Sequence, residues 1–343
     1  MGERKISLTG IKPSGTPHIG NYLGMIKPAL QLAEKYQALY FIADYHALTT
    51  LRNGAELMRL SYDLTATFLA LGMDPSQVTF FRQSDIPEIF ELTWALACLT
   101  GKGLLNRAHA YKASVDENLA AGNDADAGIN AGLYNYPVLM SADILLYGSH
   151  VVPVGQDQKQ HVEIARDIGA AFNHTFGAEV FVIPESIIEE QVAVIPGLDG
   201  RKMSKSYDNI IPIFAPPKQL RARVMQIVTD SRPPADPKNP DDDNLYNIYK
   251  FFCTPEQDAQ LRQRYLLGGF GYGEVKQEFF EVLEAKFSEP RRKYEEFLAR
   301  PEFLESVLME GARKARAAGS RVIKKVRRAV GVRYDREPLI EEA

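Results

Sequence analysis

Two short segments of the chain carry residue types that suit phosphate chemistry. The first is His18-Ile19-Gly20-Asn21, which Pro13-Ser14-Gly15 precedes. A histidine ring can donate a hydrogen bond to a phosphate oxygen, and glycines let the backbone approach a ligand because they have no Cβ. Taken alone, the segment could equally be a turn that leads into a helix.

The second segment, Lys202-Met203-Ser204-Lys205-Ser206, follows a glycine-rich approach at 196–200. Two lysines separated by two residues can offset the charge of a triphosphate while pyrophosphate leaves. A solvated loop of lysine and serine would have the same composition. An uninterrupted KMSKS roughly 180 residues after the first segment is far more specific than its composition. The pair therefore predicts chemistry on a bound nucleotide.

Alternating strand and helix patterns must position these two segments. Strands are predicted at 5–11, 39–43, 78–81, 151–154 and 180–183, with helices at about 20–36, 57–71 and 157–172. This alternation predicts an α/β fold with a Rossmann-like, doubly wound parallel sheet. Such sheets bind nucleotides beyond the carboxyl ends of their strands, where the first segment lies.

The pattern changes near residue 217, which predicts two domains. Residues 1–217 form the predicted Rossmann-like α/β domain, with an inserted segment at about 88–135. Strand signals then stop, so 218–343 is predicted to be an all-helical domain. Residues 311–334 hold nine arginines or lysines and no acid, although the net charge of the chain is -4. This stretch could face a polyanion or simply be a solvated helix face.

Composition and cysteine usage narrow the class of protein. Of the 343 residues, 45% are hydrophobic and 24% are charged, which is typical of a globular protein with one large and one smaller domain. No apolar run approaches the length of a membrane span, so no membrane partner is predicted. Cys98 and Cys253 lie far apart and form no metal-binding or redox pattern, which favours the reducing cytoplasm.

The paired HIGN and KMSKS motifs resemble those of class I aminoacyl-tRNA synthetases. Four further segments resemble the tryptophanyl-tRNA synthetase family within that class, and the resemblance covers essentially the whole chain. These segments are GIKPSG (10–15), DYHALT (44–49), YPVLMSADILLY (136–147) and VPVGQDQKQH (152–161). Lys12 and Tyr45 depart from the family pattern, in which many relatives have Gln or Arg at the first position and some have Gln at the second.

The resemblance implies a two-step ligase reaction. L-tryptophan would react with Mg-ATP to give tryptophanyl-adenylate and pyrophosphate, and the aminoacyl group would then pass to the terminal ribose of tRNA(Trp). Mg²⁺ would be held mainly by the ATP phosphates. Residues 1–217 would be the catalytic domain, and the helical domain would read the anticodon region. The protein would be a homodimer that forms through the inserted segment at about 88–135. The implied catalytic residues are His18, Asn21, Lys112, Lys202 and Lys205.

The resemblance also assigns the binding positions. The expected ATP-binding residues are Lys12, Pro13, Ser14, Gly20, Asn21, Gly155, Gln156, Asp157, Val194, Lys202, Met203, Ser204, Lys205 and Ser206. The expected tryptophan-binding residues are Met140, Asp143, Gln158 and His46.

The residues themselves support part of this assignment. Asp143 is an acid in an apolar stretch, where it needs a partner, and an indole N–H is a donor that a carboxylate can accept. Met140, one helical turn earlier, would supply an adaptable apolar contact. Asp143 could instead be a helix-capping or structural acid, Asp157 a plain N-cap, and His46 simple packing.

Three other functions stay open at this stage. A tyrosyl-tRNA synthetase is the nearest, because tyrosine also presents a donor to a buried acid. A non-catalytic paralogue that binds RNA or a protein partner would have the same fold. A nucleotidyltransferase for small metabolites would share a related first motif.

Overall fold

The computed structural model of the protein describes residues 4–13, 15–155, 158–188 and 195–332. Its five strands form one parallel sheet in the order β3-β2-β1-β4-β5. They are β1 (Ile6–Ile11), β2 (Gln37–Ile42), β3 (Thr79–Arg82), β4 (Val151–Val154) and β5 (Glu185–Ile188). The predicted α/β fold with a doubly wound parallel sheet is confirmed.

Helices follow the strands along the chain. They are α1 (Ile19–Asn21), α2 (Lys27–Lys35), α3 (Asp44–Ala47), α4 (Gly54–Ala70), α5 (Glu88–Ala97), α6 (Lys102–Leu105), α7 (His109–Ala120), α8 (Ala131–Leu146), α9 (Lys159–Thr175), α10 (Pro217–Met225), α11 (Asn244–Tyr249), α12 (Pro255–Leu267), α13 (Tyr272–Leu298) and α14 (Pro301–Ala329). A π-helical turn, Tyr22–Ile26, joins α1 to α2, so the predicted first helix is continuous but irregular.

The centre of the sheet is closely packed because β1 contains a glycine. Gly10 pairs with Phe41 of β2, and a Cβ at Gly10 would lie 2.5 Å from the tip of the Phe41 ring. The strand β2 is a continuous apolar run, and all of it except Gln37 is buried. This is the pattern of a parallel strand that helices cover on both faces.

The strand predicted at 180–183 is wrong, because the fifth strand begins at Glu185. Val180 and Phe181 are buried as their apolar character suggests. Their backbone, however, is bound by a side chain of α9. The Asn173 Oδ1 accepts hydrogen bonds from both of their N–H groups at 3.0 Å, and its Nδ2 donates to the Phe181 carbonyl at 2.9 Å. An amide side chain therefore takes the bonds that a neighbouring strand would have made.

The last helix packs on the sheet. Gly311 of α14 lies against β3, and a Cβ at this position would stand 1.8 Å from the carbonyl oxygen of Phe80. Buried residues of α14 join apolar clusters on both faces of the sheet: Leu304 and Leu308 join one cluster, and Ile323 joins the other. The sequence pattern alone gave no sign of this close docking.

Two basic residues of α14 are paired with acids of α5. Arg316 bonds Glu88 at 2.8 Å, and Arg327 bonds Glu91 at 2.6 Å. Between 217 and 332, the described chain forms helices and turns and no strand, which agrees with the predicted pattern. The boundary at 217 and the inserted segment at 88–135 stay predictions. Within the described ranges, no helix has both the length and the apolar character to cross a bilayer.

Candidate active site

A cavity of about 1480 Å³ opens at the carboxyl ends of β1 and β4. These are the two strands between which the strand order reverses direction, the position where open α/β sheets bind their ligands. Six predicted contact residues line the cavity: Lys12, His46, Met140, Asp143, Gly155 and Gln158.

The HIGN motif forms the first turn of helix after β1. The Nδ1 of His18 accepts a hydrogen bond from the Asn21 N–H at 3.4 Å, and the Asn21 Oδ1 accepts one from the His18 N–H at 3.3 Å. This is a reciprocal capping box, which satisfies backbone donors at the helix start and holds both side chains in place.

The His18 imidazole is neutral at pH 7. The residue is 6% exposed. Burial, together with the charge of Lys205, lowers the pKa of His18 to about 4. Because the Nδ1 accepts a bond from Asn21, the neutral ring carries its proton on Nε2. His18 can therefore donate one hydrogen bond to an oxygen of a ligand.

The KMSKS motif touches the HIGN motif. The Gly20 N–H donates to the Met203 Sδ at 3.3 Å, although the two residues are 183 positions apart. The Ile19 N–H donates to the carbonyl of Ile211, just after KMSKS, at 3.0 Å. The Lys205 Nζ lies 3.2 Å from the point where a Cβ would stand at Gly15. The structure therefore brings the two predicted motifs into one site.

A buried asparagine shapes the KMSKS loop. The Asn209 Oδ1 accepts a hydrogen bond from the Ser204 N–H at 2.8 Å, and its Nδ2 donates to Asp199 and to the Lys202 carbonyl at 2.7 and 3.1 Å. Asn209 is buried, and Gly197 provides the space for it, because a Cβ there would lie 2.3 Å from the Asn209 amide. Sequence reasoning did not identify this residue.

A buried acid lies near the second lysine of KMSKS. Asp63 of α4 is 5% exposed and accepts a hydrogen bond from the Tyr294 hydroxyl of α13. Burial raises the pKa of Asp63, while Tyr294, Arg59 and Lys205 oppose that rise. The charge of Asp63 in turn opposes the lowering of the Lys205 pKa by burial. Asp63 thus interacts with both the loop and α13.

Asp143 lies buried in the wall of the cavity on α8. The residue is 1% exposed, and its Oδ2 is 2.8 Å from the His46 Nε2. The Gln83 Nε2 donates to both carboxylate oxygens at 2.9 Å. Burial raises the pKa of Asp143, and the hydrogen bonds and charge from His46 and Gln83 act in the opposite direction. Asp143 is therefore a buried acceptor and not a helix cap.

The two partners of Asp143 come from the ends of adjacent strands. His46 lies in α3, after β2, and Gln83 opens a 3-10 turn, Gln83–Asp85, after β3. A second buried acid joins these turns. The Asp44 carboxylate accepts hydrogen bonds from the Tyr45 and Ser84 N–H groups at 3.0 and 3.1 Å and from the Ser84 hydroxyl.

Tyr136 also lines the cavity and was not predicted as a site residue. Its hydroxyl is 2.7 Å from the His161 Nε2, and its ring meets the His46 ring edge-on at 6.2 Å. Burial raises the pKa of Tyr136 to about 12, so its hydroxyl stays protonated. Tyr136 is one helical turn from Met140, so the segment could have suggested it.

The two departures from the family pattern both lie beside the cavity. The Lys12 Nζ donates to the Thr50 hydroxyl at 3.1 Å, and both residues line the cavity. Tyr45 packs edge-on against Phe90 at 4.6 Å and lines a second cavity of about 300 Å³, which shares His46 and Tyr136 with the first. Neither departure removes a wall of the cavity.

Some predicted residues lie apart from this arrangement. Lys112 is exposed on α7, and Ala110 of the same helix lines the cavity in its place. Pro13 is buried beside Lys12, and the Ser206 hydroxyl bonds that of Ser204 at 2.8 Å. The remaining predicted positions lie outside the described residues: Ser14, Gln156, Asp157 and Val194. In the described part of the chain, no group of three or more His, Cys, Asp or Glu side chains could hold a metal ion.

Comparison with known proteins decides the family. The family of tRNA synthetases class I (W and Y) matches residues 2–288. A tryptophan–tRNA ligase of Pseudomonas aeruginosa is 54% identical over 336 residues, which are 97% of this chain and 75% of that protein. The chain belongs to the class I tRNA synthetases.

Solved structures of this family agree. The tryptophanyl-tRNA synthetase of Campylobacter jejuni, in complex with ADP and tryptophan, is 45% identical with a TM-score of 0.86, and the match covers 95% of this chain and 99% of that one. The synthetase of Mycoplasma pneumoniae is 28% identical with a TM-score of 0.77, over 96% and 98% of the two chains. The resemblance to class I tryptophanyl-tRNA synthetases, seen first in the sequence motifs, is confirmed.

Proposed function

We propose that this class I synthetase joins L-tryptophan to tRNA(Trp) in two steps that use ATP. The observation that carries the proposal is the position of Asp143, a buried acceptor in the wall of a cavity whose neighbouring motifs suit a triphosphate. The Campylobacter jejuni relative was solved with ADP and tryptophan, and we carry both ligands over, as ATP and the amino acid.

The phosphates of ATP would lie between the HIGN and KMSKS motifs. His18 would donate its Nε2 proton to a phosphate oxygen, and the ammonium groups of Lys202 and Lys205 would offset the charge that develops on pyrophosphate. Lys12 and Gly155 line the cavity of about 1480 Å³ and support a nucleotide there. No side chain forms a covalent intermediate, so these residues act by positioning and by electrostatic stabilisation. Lys112, which is exposed on α7, would also reach the phosphates.

Mg²⁺ would arrive with ATP and be held mainly by its phosphates. The side chains that the HIGN and KMSKS motifs supply are ammonium, amide, imidazole and hydroxyl groups, which suit the phosphates better than a hard cation. The magnesium ion would add positive charge to that of the lysines.

Tryptophan would bind with its indole N–H directed at Asp143. Met140 and Gln158 line the same cavity, with His46 beside the carboxylate. The tryptophan carboxylate oxygen would attack the α-phosphate, and the bond from that phosphorus to the bridging oxygen of pyrophosphate would break. The 2′- or 3′-hydroxyl of the terminal tRNA ribose would then attack the aminoacyl carbonyl and release AMP.

The tRNA would bind partly through the helical region at 218–343, which we propose as the anticodon-binding domain beside the catalytic domain at 1–217. Four exposed basic side chains near the end of α14 support contact with a polyanion: Arg321, Lys324, Lys325 and Arg328. We place the reaction in the cytoplasm.

We further propose that the protein is a homodimer. Trp94 and Phe90 of α5 are 74% and 46% exposed, and α5 lies within the segment predicted to form the dimer. Large exposed aromatic side chains that lie together are typical of surfaces that bind another protein. Sedimentation of the wild-type protein and of Trp94→Glu tests this: a dimer that the substitution dissociates is expected.

The deciding experiment is ATP–pyrophosphate exchange with each of the twenty amino acids in turn. We expect exchange with tryptophan alone, and its loss in Asp143→Ala. The matched control is Asp167→Ala, which removes an exposed acid of α9 remote from the cavity and should exchange as the wild type does. Circular dichroism of each variant would separate loss of function from loss of folding.

Each other outcome points to a different function. Exchange with tyrosine in place of tryptophan would indicate a tyrosyl enzyme and overturn the role of Asp143. Absence of exchange with every amino acid would indicate a non-catalytic relative, and tRNA binding would be measured next.

A further inference from the structure

The side-chain amide of Gln83 is buried in contact with Asp143, the acid that we propose as the acceptor of the indole N–H. The residue is 0% exposed and opens the turn after β3. Its Nε2 donates to both oxygens of Asp143, while its Oε1 has no hydrogen-bond partner among the described residues. The reverse orientation of the amide would direct the Oε1 at the carboxylate, where the two would repel each other. Gln83 thus directs its donor to Asp143 and leaves its own acceptor unsatisfied.

The surroundings of Asp143 otherwise favour its protonated form. The carboxyl group is buried, and burial disfavours the charged state. The titratable groups that face it are His46 from α3 and Tyr147, which directly follows α8 and whose hydroxyl has no partner among the described residues. A protonated Asp143 would carry an O–H of its own, and that proton would compete with the indole N–H for the acceptor oxygens. The donors that favour the ionised carboxylate against this effect of burial are His46 and Gln83.

The position of Gln83 is set by its neighbour in the chain. Ser84 is bound to Asp44 through both its N–H and its hydroxyl, which joins the turn that carries Gln83 to the helix that carries His46. Both donors to Asp143 are therefore parts of one hydrogen-bonded unit at the ends of β2 and β3. The sequence pattern around Gln83 gave no sign of this role.

We propose that Gln83 is a positioning residue that keeps Asp143 available as an acceptor for the indole N–H, and that it thereby sets the preference for tryptophan over ring systems without that N–H. The inference rests on the proposed function, because it takes the amino acid to be tryptophan bound at Asp143. Gln83 acts through Asp143 and makes no contact with the reacting atoms.

The test is the substitution Gln83→Met, which removes the donor and keeps a side chain of similar length. ATP–pyrophosphate exchange is measured against pH with two substrates: tryptophan, and the analogue in which sulfur replaces the indole N–H. The matched control is Gln77→Met, the same substitution at an exposed residue before the other end of β3.

We expect Gln83→Met to lower kcat/KM for tryptophan about tenfold or more at pH 7, mostly through KM, because a hydrogen bond to a buried charge is lost. The kcat/KM for the sulfur analogue should change little. In the wild type, KM for tryptophan should rise at low pH as Asp143 becomes protonated. In Gln83→Met this rise should begin at a higher pH, because Asp143 keeps its proton to higher pH without the amide. Gln77→Met should match the wild type in all three respects.

Equal losses for both substrates with an unmoved pH profile would overturn the inference and indicate a purely structural role. If the methionine variant fails to fold, the same measurements are made on Gln83→Asn. Its side chain is one methylene shorter, so the amide lies farther from Asp143. Failure of the proposed function itself is distinguishable: the wild-type protein would then show no exchange with tryptophan.

Discussion

His18 gives a quantitative prediction about the HIGN motif. Burial and the charge of Lys205 lower its pKa from 6.5 to about 4 in the folded protein. Between these values the unfolded chain binds a proton at His18 that the folded chain does not bind. Stability is therefore lost as the pH falls from about 6.5 towards 4, and it is fully present above pH 7.

The magnitude follows from the size of the shift. One pKa unit corresponds to about 1.4 kcal/mol, so the free energy of unfolding should lose roughly 3 kcal/mol from this residue below pH 4. Most of that loss, about 2.5 kcal/mol, should already be present at pH 4.5. The perturbation is His18→Asn, which removes the titrating ring and keeps a good N-capping side chain.

The assay combines titration and unfolding. The His18 ring resonance in the NMR spectrum, identified by its absence in His18→Asn, should titrate near pH 4. Urea unfolding of both proteins at pH 7.5 and 4.5 should show the wild type losing about 2.5 kcal/mol more than the variant. Lys205→Gln should raise the pKa of His18, whereas Lys159→Gln, a control on α9, should leave it unchanged.

A His18 resonance that titrates near its ordinary value of 6.5 would refute the argument, because the ring would then be solvated and the capping box open. An unchanged His18 pKa in Lys205→Gln would refute a narrower claim, namely that KMSKS lies close enough to HIGN to act on it by charge in the absence of ATP.

Three further substitutions test the packing and the electrostatics of buried positions. Gly311→Ala should lower the free energy of unfolding by about 3 kcal/mol or more in urea titrations, because the new methyl group meets the β3 backbone. The control is Gly54→Ala, where the methyl group has open space and the free energy of unfolding should hardly change. Asp63→Asn should leave the free energy of unfolding at pH 7 unchanged or raise it, because it removes a buried charge. It should lower kcat/KM for ATP about tenfold in pyrophosphate exchange, because Lys205 loses an attractive partner. Lys238→Met should lower the melting temperature, because this buried ammonium donates to three backbone carbonyls of the proline-rich loop; an unchanged value would contradict that role.

Much of the fold could be predicted because its signals are local. The apolar run of β2 and the strand Val151–Val154 are visible as short segments, and the helix from Gly54 has the expected periodicity. The prediction failed at 180–183 because the apolar pattern reports burial and not hydrogen bonding. The Asn173 side chain, which decides the backbone conformation there, is an ordinary polar residue on a helix surface in the sequence.

The conformation of the KMSKS loop could not be predicted from the sequence either. Its lysines and serines are visible in the sequence, but its conformation depends on Asn209 and on the space that Gly197 leaves. Asp208, just before that asparagine, has a φ of 47°, which lies in the left-handed region and which aspartate tolerates better than most residues. Asp208 and Asn209 follow the motif and carry no chemistry of their own, so the sequence alone gave no reason to select them.

The two halves of the candidate site differ in how readily they can be predicted from the sequence, and the difference has a physical origin. The phosphate side uses backbone groups and cations from continuous segments, so each segment appears as a motif. The amino-acid side is assembled where strands end: Asp143 comes from α8, His46 from the turn after β2 and Gln83 from the turn after β3. Each contributes one side chain. Asp143 and His46 were predicted through the resemblance of the segments around them, whereas Gln83 lies in no such segment. With the roles proposed above, specificity for the amino acid would depend on the register of the sheet. A substitution in β2 or β3 that shifts either turn should then alter substrate choice before it alters the chemistry on ATP.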